Sequence, residues 1–145
     1  MHGLPKSDFS FSYKPSLTTL FRFSALTFNG HHIHLDKDYA QVNEGYPGLY
    51  FRTHSSVRIH HVFRTERLVH GPLTALMLLE TLLFHHPELQ LQTFSYRARN
   101  PIVVNRTCTI YGSFTGENHV DVWCEDVAGV VGMTGRISFV SRGVL

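Results

Sequence analysis

This 145-residue chain predicts an α+β fold, a curved antiparallel sheet wrapped around one long apolar helix. Three observations carry that expectation. The run LTALMLLETLLF after Gly71-Pro72 is apolar nearly all the way round a helix, and such a helix must be covered nearly all the way round. From Phe94 onward, several short runs alternate apolar and polar residues, the period of strands with one buried face. The length is that of one domain, and 43% apolar against 17% charged residues is the balance of a folded chain with a core.

The elements follow in order. Residues 1–20 read as an extended lead-in, interrupted at Pro5 and Pro15. A short helix is expected over Thr18 to Thr27, with Leu20, Phe21, Phe23 and Leu26 as its apolar members. FNGHHIHLD (28–36) comes next, then a second short helix over Lys37 to Val42 and the turn EGYPG at 44–48. The long helix is expected at about residues 72–84. Pro72 suits a first helical position because it lacks only an N–H that has no partner there, and His85-His86-Pro87 ends the run. Leu73, Leu76, Met77, Leu78, Leu79, Leu82 and Leu83 would cover most of its circumference, leaving a polar stripe at Thr74, Glu80 and Thr81. The strands are Phe94/Tyr96/Ala98, Cys108/Ile110/Gly112/Phe114, Val120/Val122/Cys124 and Val131/Met133/Ile137/Phe139, with turns at GEN (116–118) and DVAG (126–129). They read as a three- or four-strand meander. Such a sheet around one helix is the hotdog arrangement, here a single domain over residues 21–142.

Composition narrows the function classes. Net charge is +2, yet Arg52, Arg58, Arg64 and Arg67 against Glu66 place +3 within residues 50–67 alone. The remainder is slightly acidic, so basicity belongs to one segment and no nucleic-acid partner is expected. No apolar run approaches the roughly 18 residues of a membrane span, and no membrane association is expected. The N-terminus has neither the apolar stretch of a secretory signal nor the arginines of a good transit peptide. Cys108 and Cys124 form no CxxC pair and lie in strand-like runs; they are expected to be buried thiols in a reducing compartment.

FNGHHIHLD concentrates His31, His32, His34 and Asp36. A metal site needs three or four converging ligands. His32 and His34 on a strand would face one way and His31 the other, and no HExxH or CxxC completes a set. Proton transfer by one of these residues is the alternative, with His31 and His32 read as surface residues that cap turns.

The residues around this stretch resemble a known family. FRFSALTFNGHHIHLDKDYA, followed by LVHGPLTALMLLETLL, is similar to the MaoC-type hydratase/dehydratase superfamily, closest to the branch holding fungal mitochondrial 3-hydroxyacyl-thioester dehydratase type 2 and the mesaconyl/itaconyl-CoA hydratases. The broad pattern D-x-N-P-[LIV]-H-x5-[AS] places its Asp on Asn29, its Asn-Pro on His31-His32, its aliphatic residue on Ile33, its His on His34 and its small residue on Ala40. The branch pattern FSALTFNGHxIHxD is matched from Phe23 to Asp36, and the resemblance covers roughly residues 8 to 142.

The resemblance implies a hotdog hydro-lyase that interconverts (3R)-3-hydroxyacyl and trans-2-enoyl thioesters without a cofactor or metal. The substrate would be an acyl-CoA or acyl-carrier-protein thioester, in the dehydratase step of mitochondrial fatty-acid synthesis. Such a reaction needs an acid/base group and a stabiliser for an enolate-like thioester oxygen. The family's catalytic His falls on His34, and its oxyanion donor on Gly71, with His70 beside it in the substrate-binding set. Asn29 departs from the broad pattern: an amide orients a water or hydroxyl but accepts no proton as a carboxylate does, so His34 would transfer the proton alone or with Asp36.

Two further departures matter. Members of this branch usually carry a degenerate hotdog half before the catalytic one. A single unit leaves a sheet edge and a helix flank uncovered, so a homodimer is expected. Family members also run from EGYPGL almost directly into VHGP, whereas here an atypical basic insertion, residues 50–67, intervenes. Its abrupt composition is that of translated intron sequence, or of a basic loop that docks an acidic carrier protein. The alternative to an enzyme is a weakened or inactive hotdog domain that only binds acyl thioesters or a partner subunit. A hotdog thioesterase is a third reading, which the NGHxIH motif argues against.

Overall fold

The computed structural model describes residues 5–36, 39 and 66–141. The expected helix over Lys37–Val42 (Tyr39 aside), the EGYPG turn and residues 50–65 of the insertion lie outside the described residues. Within them the order is β1 (Phe9–Tyr13), α1 (Leu17–Thr27), α2 (His32–Leu35), α3 (Gly71–His85), β2 (Leu89–Ala98), β3 (Cys108–Phe114), β4 (His119–Asp126) and β5 (Val131–Ser141). The strands form one antiparallel sheet in the order β1-β3-β4-β5-β2, and α3 packs against all five of them. This is the hotdog arrangement.

The expected lead-in turns out to belong to the sheet. Phe9, Phe11 and Tyr13 alternate with serines, and β1 pairs with β3 from Phe9↔Gly112 to Tyr13↔Cys108. Gly112 makes room for this: a Cβ there would overlap the ring of Phe9. The helix after it also begins before residue 21. Ser16 caps α1, its Oγ accepting from the N–H of Thr19 while Thr19 Oγ1 accepts from the N–H of Ser16, a reciprocal capping box.

The meander is real for β3, β4 and β5, but β2 joins beyond β5 instead of beside β3. The connection 99–107 carries the chain across, and it buries Ile102 and Val104 on the way. Register shifts between Leu91 and Thr93 and between Cys124 and Glu125 are bulges, which bend a sheet locally and help this one curve around α3.

The core lies between α3 and the concave sheet face. Leu73, Leu78 and Leu82 meet Ile110, Val120, Val122, Met133, Ile137 and Phe139 there. Leu78 and Leu82 are fully buried, each contributing about 2 kcal/mol of burial. The polar stripe expected on α3 faces outward only at Glu80. Thr74 and Thr81 are buried, and their hydroxyls donate to the carbonyls of His70 and Met77, which lets threonine sit in a core without an unpaired group. Leu76 and Phe84 are exposed instead, at 45% and 71%. On α1 the expected apolar face is likewise only half right, for Leu20 and Ser24 are buried while Phe21 and Leu26 are exposed. Cys108 and Cys124 are both free and buried.

Candidate active site

The site is built where α1, α2 and the start of α3 meet. Helix α1 ends in a left-handed residue, Phe28 at φ 53°. The N–H of Phe28 bonds the Ala25 carbonyl and that of Asn29 bonds the Ser24 carbonyl at 2.9 Å, the paired closure of a Schellman turn. The chain then reverses into FNGHHIHLD. Asn29 Oδ1 accepts the N–H of His31, and His31 Nδ1 accepts the N–H of Ile33, so His31 does cap α2. The rings of His31 and His32 are exposed and lie against Tyr39.

A one-turn helix needs outside support, and the extended segment 67–69 supplies it. On one side this segment pairs with the 99–107 connection, through Val69 N–H to the Ile102 carbonyl and Val104 N–H to the Arg67 carbonyl. Alternate peptide groups of an extended chain point to opposite sides, so the Leu68 peptide faces the other way, onto α2. Its N–H bonds the Ile33 carbonyl at 3.2 Å, and its carbonyl lies 2.8 Å from Nδ1 of His34. Arg67 adds a bond from Nε to the Leu35 carbonyl.

That geometry decides the state of His34. A carbonyl can only accept, so Nδ1 carries the hydrogen and Nε2 keeps a lone pair. Burial lowers the pKa of His34, and nearby His31 lowers it further, partly offset by the Leu68 carbonyl. The ring is therefore a neutral base near pH 7.

His70, the N-cap residue of α3, is fully buried. Its ring stacks on that of His34, with centroids 3.6 Å apart and planes 21° apart, and Phe23 meets it edge-on at 5.0 Å. Nε2 lies 2.8 Å from Ser24 Oγ, whereas Nδ1 is buried with no partner among the described residues. Burial first, and repulsion from His34 second, lower its pKa to about 4. Gly71 opens α3 directly after it, and no side chain caps the helix. The first-turn N–H groups and the positive end of the helix dipole thus lie beside the histidine pair. A Cβ at Gly71 would meet nothing within 4 Å, so packing among the described residues does not demand glycine there.

The five residues singled out by sequence fall into two groups. His34, His70 and Gly71 are brought together. Asn29 and Asp36 flank them: Asn29 is half-buried in the turn before α2, and Asp36 is exposed at its C-cap, with Oδ1 accepting from Tyr39 N–H at 3.4 Å. Ser24 and the Leu68 carbonyl were not foreseen. A small polar residue one turn after Leu20, on the inward side of α1, was a signal available for Ser24; a backbone carbonyl leaves none. Among the described residues no group of three His, Cys, Asp or Glu is placed to hold a metal ion, and no helix is long and apolar enough to cross a membrane.

Comparisons with known proteins found relatives in sequence and in fold. A family model described as hydroxyacyl-thioester dehydratase type 2 matches residues 2–52. Mesaconyl-C(4)-CoA hydratase of Chloroflexus aurantiacus is 44% identical over 88 residues, covering 61% of this chain and 25% of that protein. The mitochondrial hydroxyacyl-thioester dehydratase type 2 of Schizosaccharomyces pombe is 29% identical over 120 residues, covering 81% of this chain and 34% of that one. The chain therefore spans between a quarter and about a third of the length of these curated relatives. A MaoC-like dehydratase from Phytophthora capsici superposes with a TM-score of 0.73 at 15% identity, over 97% of this chain and 45% of that one. By its sheet order and wrapped helix the protein is a hotdog protein. Within that class its sequence is similar to the hydroxyacyl-thioester dehydratases of type 2 and to a mesaconyl-CoA hydratase.

Proposed function

We propose that this chain forms a catalytic hotdog unit of a hydro-lyase that interconverts (3R)-3-hydroxyacyl and trans-2-enoyl thioesters. The observation that carries the reading is the stacked pair at the start of α3: His34, its Nδ1 held by the Leu68 carbonyl, against buried His70 beside the Gly71 N–H. In dehydration, His34 Nε2 takes the proton from C2. The C–H electrons form the C2=C3 double bond, the C3–O bond breaks, and the hydroxyl leaves as water with the proton returned by His34. Charge that builds on the thioester oxygen meets the Gly71 N–H and the helix dipole. Hydration runs the same steps backwards.

Asn29 has given its Oδ1 to the His31 N–H, so its amide nitrogen is the end left to orient the hydroxyl. Asp36 remains the runner-up for sharing the proton with His34. The Schizosaccharomyces relative supports a mitochondrial setting and a role in fatty-acid synthesis, with carrier-protein or CoA thioesters as substrates. A homodimer completes the reading, supported by the exposed Phe21, Leu26, Leu76 and Phe84 and by the sheet edges at β1 and β2.

The test is hydration of crotonyl-CoA by the purified chain. His34→Ala is expected to lower kcat/KM at least about 100-fold with the fold retained. A folded chain that hydrates no enoyl thioester, or a His34→Ala variant as fast as the parent, sinks the proposal.

A further inference from the structure

We propose that Ser24 is a positioning residue for His70: its hydroxyl donates to His70 Nε2 and so keeps the ring hydrogen on Nδ1, at the N-terminus of α3. The inference deepens the function proposed above and rests on it for the use of that hydrogen, though the tautomer itself stands on geometry alone.

Three other hydroxyls on these helices, beyond the capping-box hydroxyl of Thr19, make the contrast. Thr27, Thr74 and Thr81 each donate to the carbonyl four residues back, those of Phe23, His70 and Met77. This is the ordinary resting place for a helical hydroxyl. Ser24 is buried, and the hydrogen bond of its hydroxyl runs instead to Nε2 of His70, 46 residues away in sequence.

A neutral imidazole has one N–H and one lone pair, so two arrangements compete. In the first, Ser24 donates to Nε2, and the single buried group left without a partner is the Nδ1–H. In the second, Nε2–H donates to Ser24 Oγ. The serine hydrogen then has no acceptor among the described residues, and the Nδ1 lone pair has no donor. The second arrangement strands one more buried polar group than the first, and each such group is costly. The ring is also held in place for the assignment, stacked on His34 and bounded edge-on by Phe23.

What remains after Ser24 has acted is a buried N–H donor next to the uncapped first turn of α3. A donor in that place adds a second, side-chain hydrogen bond to the backbone donor of Gly71 for an acyl oxygen. The opposite tautomer would turn a lone pair toward the same negative charge and oppose the reaction. Ser24 thus decides the sign of what His70 contributes without touching the substrate itself.

The experiment is a long-range nitrogen–proton correlation spectrum of the full chain labelled with 15N-histidine, the His70 signals being assigned by their loss in His70→Gln. The native protein is expected to show His70 with a protonated Nδ1 and a hydrogen-bonded, unprotonated Nε2. Ser24→Ala should bring the Nε2–H form into the spectrum and lower kcat roughly 10- to 100-fold with KM nearly unchanged, and Ser24→Thr should restore both. A native Nε2–H tautomer, or one that Ser24→Ala leaves untouched, overturns the assignment without a variant having to be active. A Ser24→Ala protein with altered tautomer and native kcat overturns the role given to the hydrogen. A native chain that shows the Nδ1–H tautomer yet hydrates no thioester overturns the hydro-lyase reading and upholds the tautomer.

Discussion

The two ends of α3 carry the same residue type in opposite surroundings. At the N-terminus, His70 is fully buried, stacked on His34 and tied to Ser24, next to the positive end of the helix dipole. At the C-terminus, His85 and His86 sit at the surface of the strand layer. His85 Nε2 lies 3.1 Å from the Ser10 carbonyl, His86 Nδ1 lies 3.3 Å from Glu88, and both rings pack against Phe9. One end desolvates a histidine without offering it an acid; the other leaves its histidines close to water, oxygens and aromatic edges. Sequence alone shows two similar His-bearing helix ends. Burial is what separates an end suited to chemistry from one suited to closing the fold.

The largest expected effect that sharpens this contrast is a pH dependence of stability. The folded pKa of His70 is about 4 against an ordinary 6.5, so between those values the unfolded chain binds a proton that the folded chain refuses. Stability is then full above about pH 6.5, falls as the pH drops toward 4 and levels off below it, a contribution of about 3 kcal/mol. His34, also lowered, acts with the same sign. Urea midpoints of the native chain and His70→Gln, compared at pH 7 and pH 4.5, check this: the variant should lose less stability on acidification. Parallel behaviour of the two proteins would mean that His70 is not held neutral by the fold.

Much of this arrangement was legible beforehand, and its gaps have physical causes. The long helix was readable because a run of leucines bounded by Gly-Pro and His-His-Pro has one interpretation. The meander was readable from period-2 alternation in 108–139. Strand β1 was missed because its alternation is phenylalanine and tyrosine against serine in a short segment, and its partner β3 is about a hundred residues away. The place of β2 was missed because pattern gives strands but not their order. The grouping of His34 with His70 and Gly71 followed from the family resemblance, while their contact follows from the Leu68 peptide. No side-chain pattern encodes a backbone carbonyl, so the lock on His34 Nδ1 was invisible in the sequence.

A smaller effect tests the other end of the helix. Phe9 packs on His85 and His86 because Gly112, opposite it on β3, has no side chain. Gly112→Ala places a Cβ inside the space of the Phe9 ring and should push β1 away from the C-terminal end of α3. The expected cost is about 1–3 kcal/mol, read from guanidinium unfolding. The rate of the proposed enoyl-thioester hydration, measured where the variant is fully folded, should stay at the native value. A rate that falls with stability would show that the two ends of α3 are coupled and that the comparison above draws the line in the wrong place.

The smallest effect concerns charge at that same end. His86 Nδ1 lies 3.3 Å from Oε1 of Glu88 just beyond the α3 C-terminus, and the two side chains are 32% and 56% exposed. An exposed pair gains little, because water screens it and two side chains must be held still. Glu88→Gln keeps the shape and removes the charge, so it should shift the urea midpoint at pH 6 by less than about 0.5 kcal/mol in stability. The same substitution should be just as silent in high salt. A loss above about 1 kcal/mol that salt abolishes would mean that electrostatics, and not the packing of Phe9 and Phe114 on the His86 ring, hold this end together.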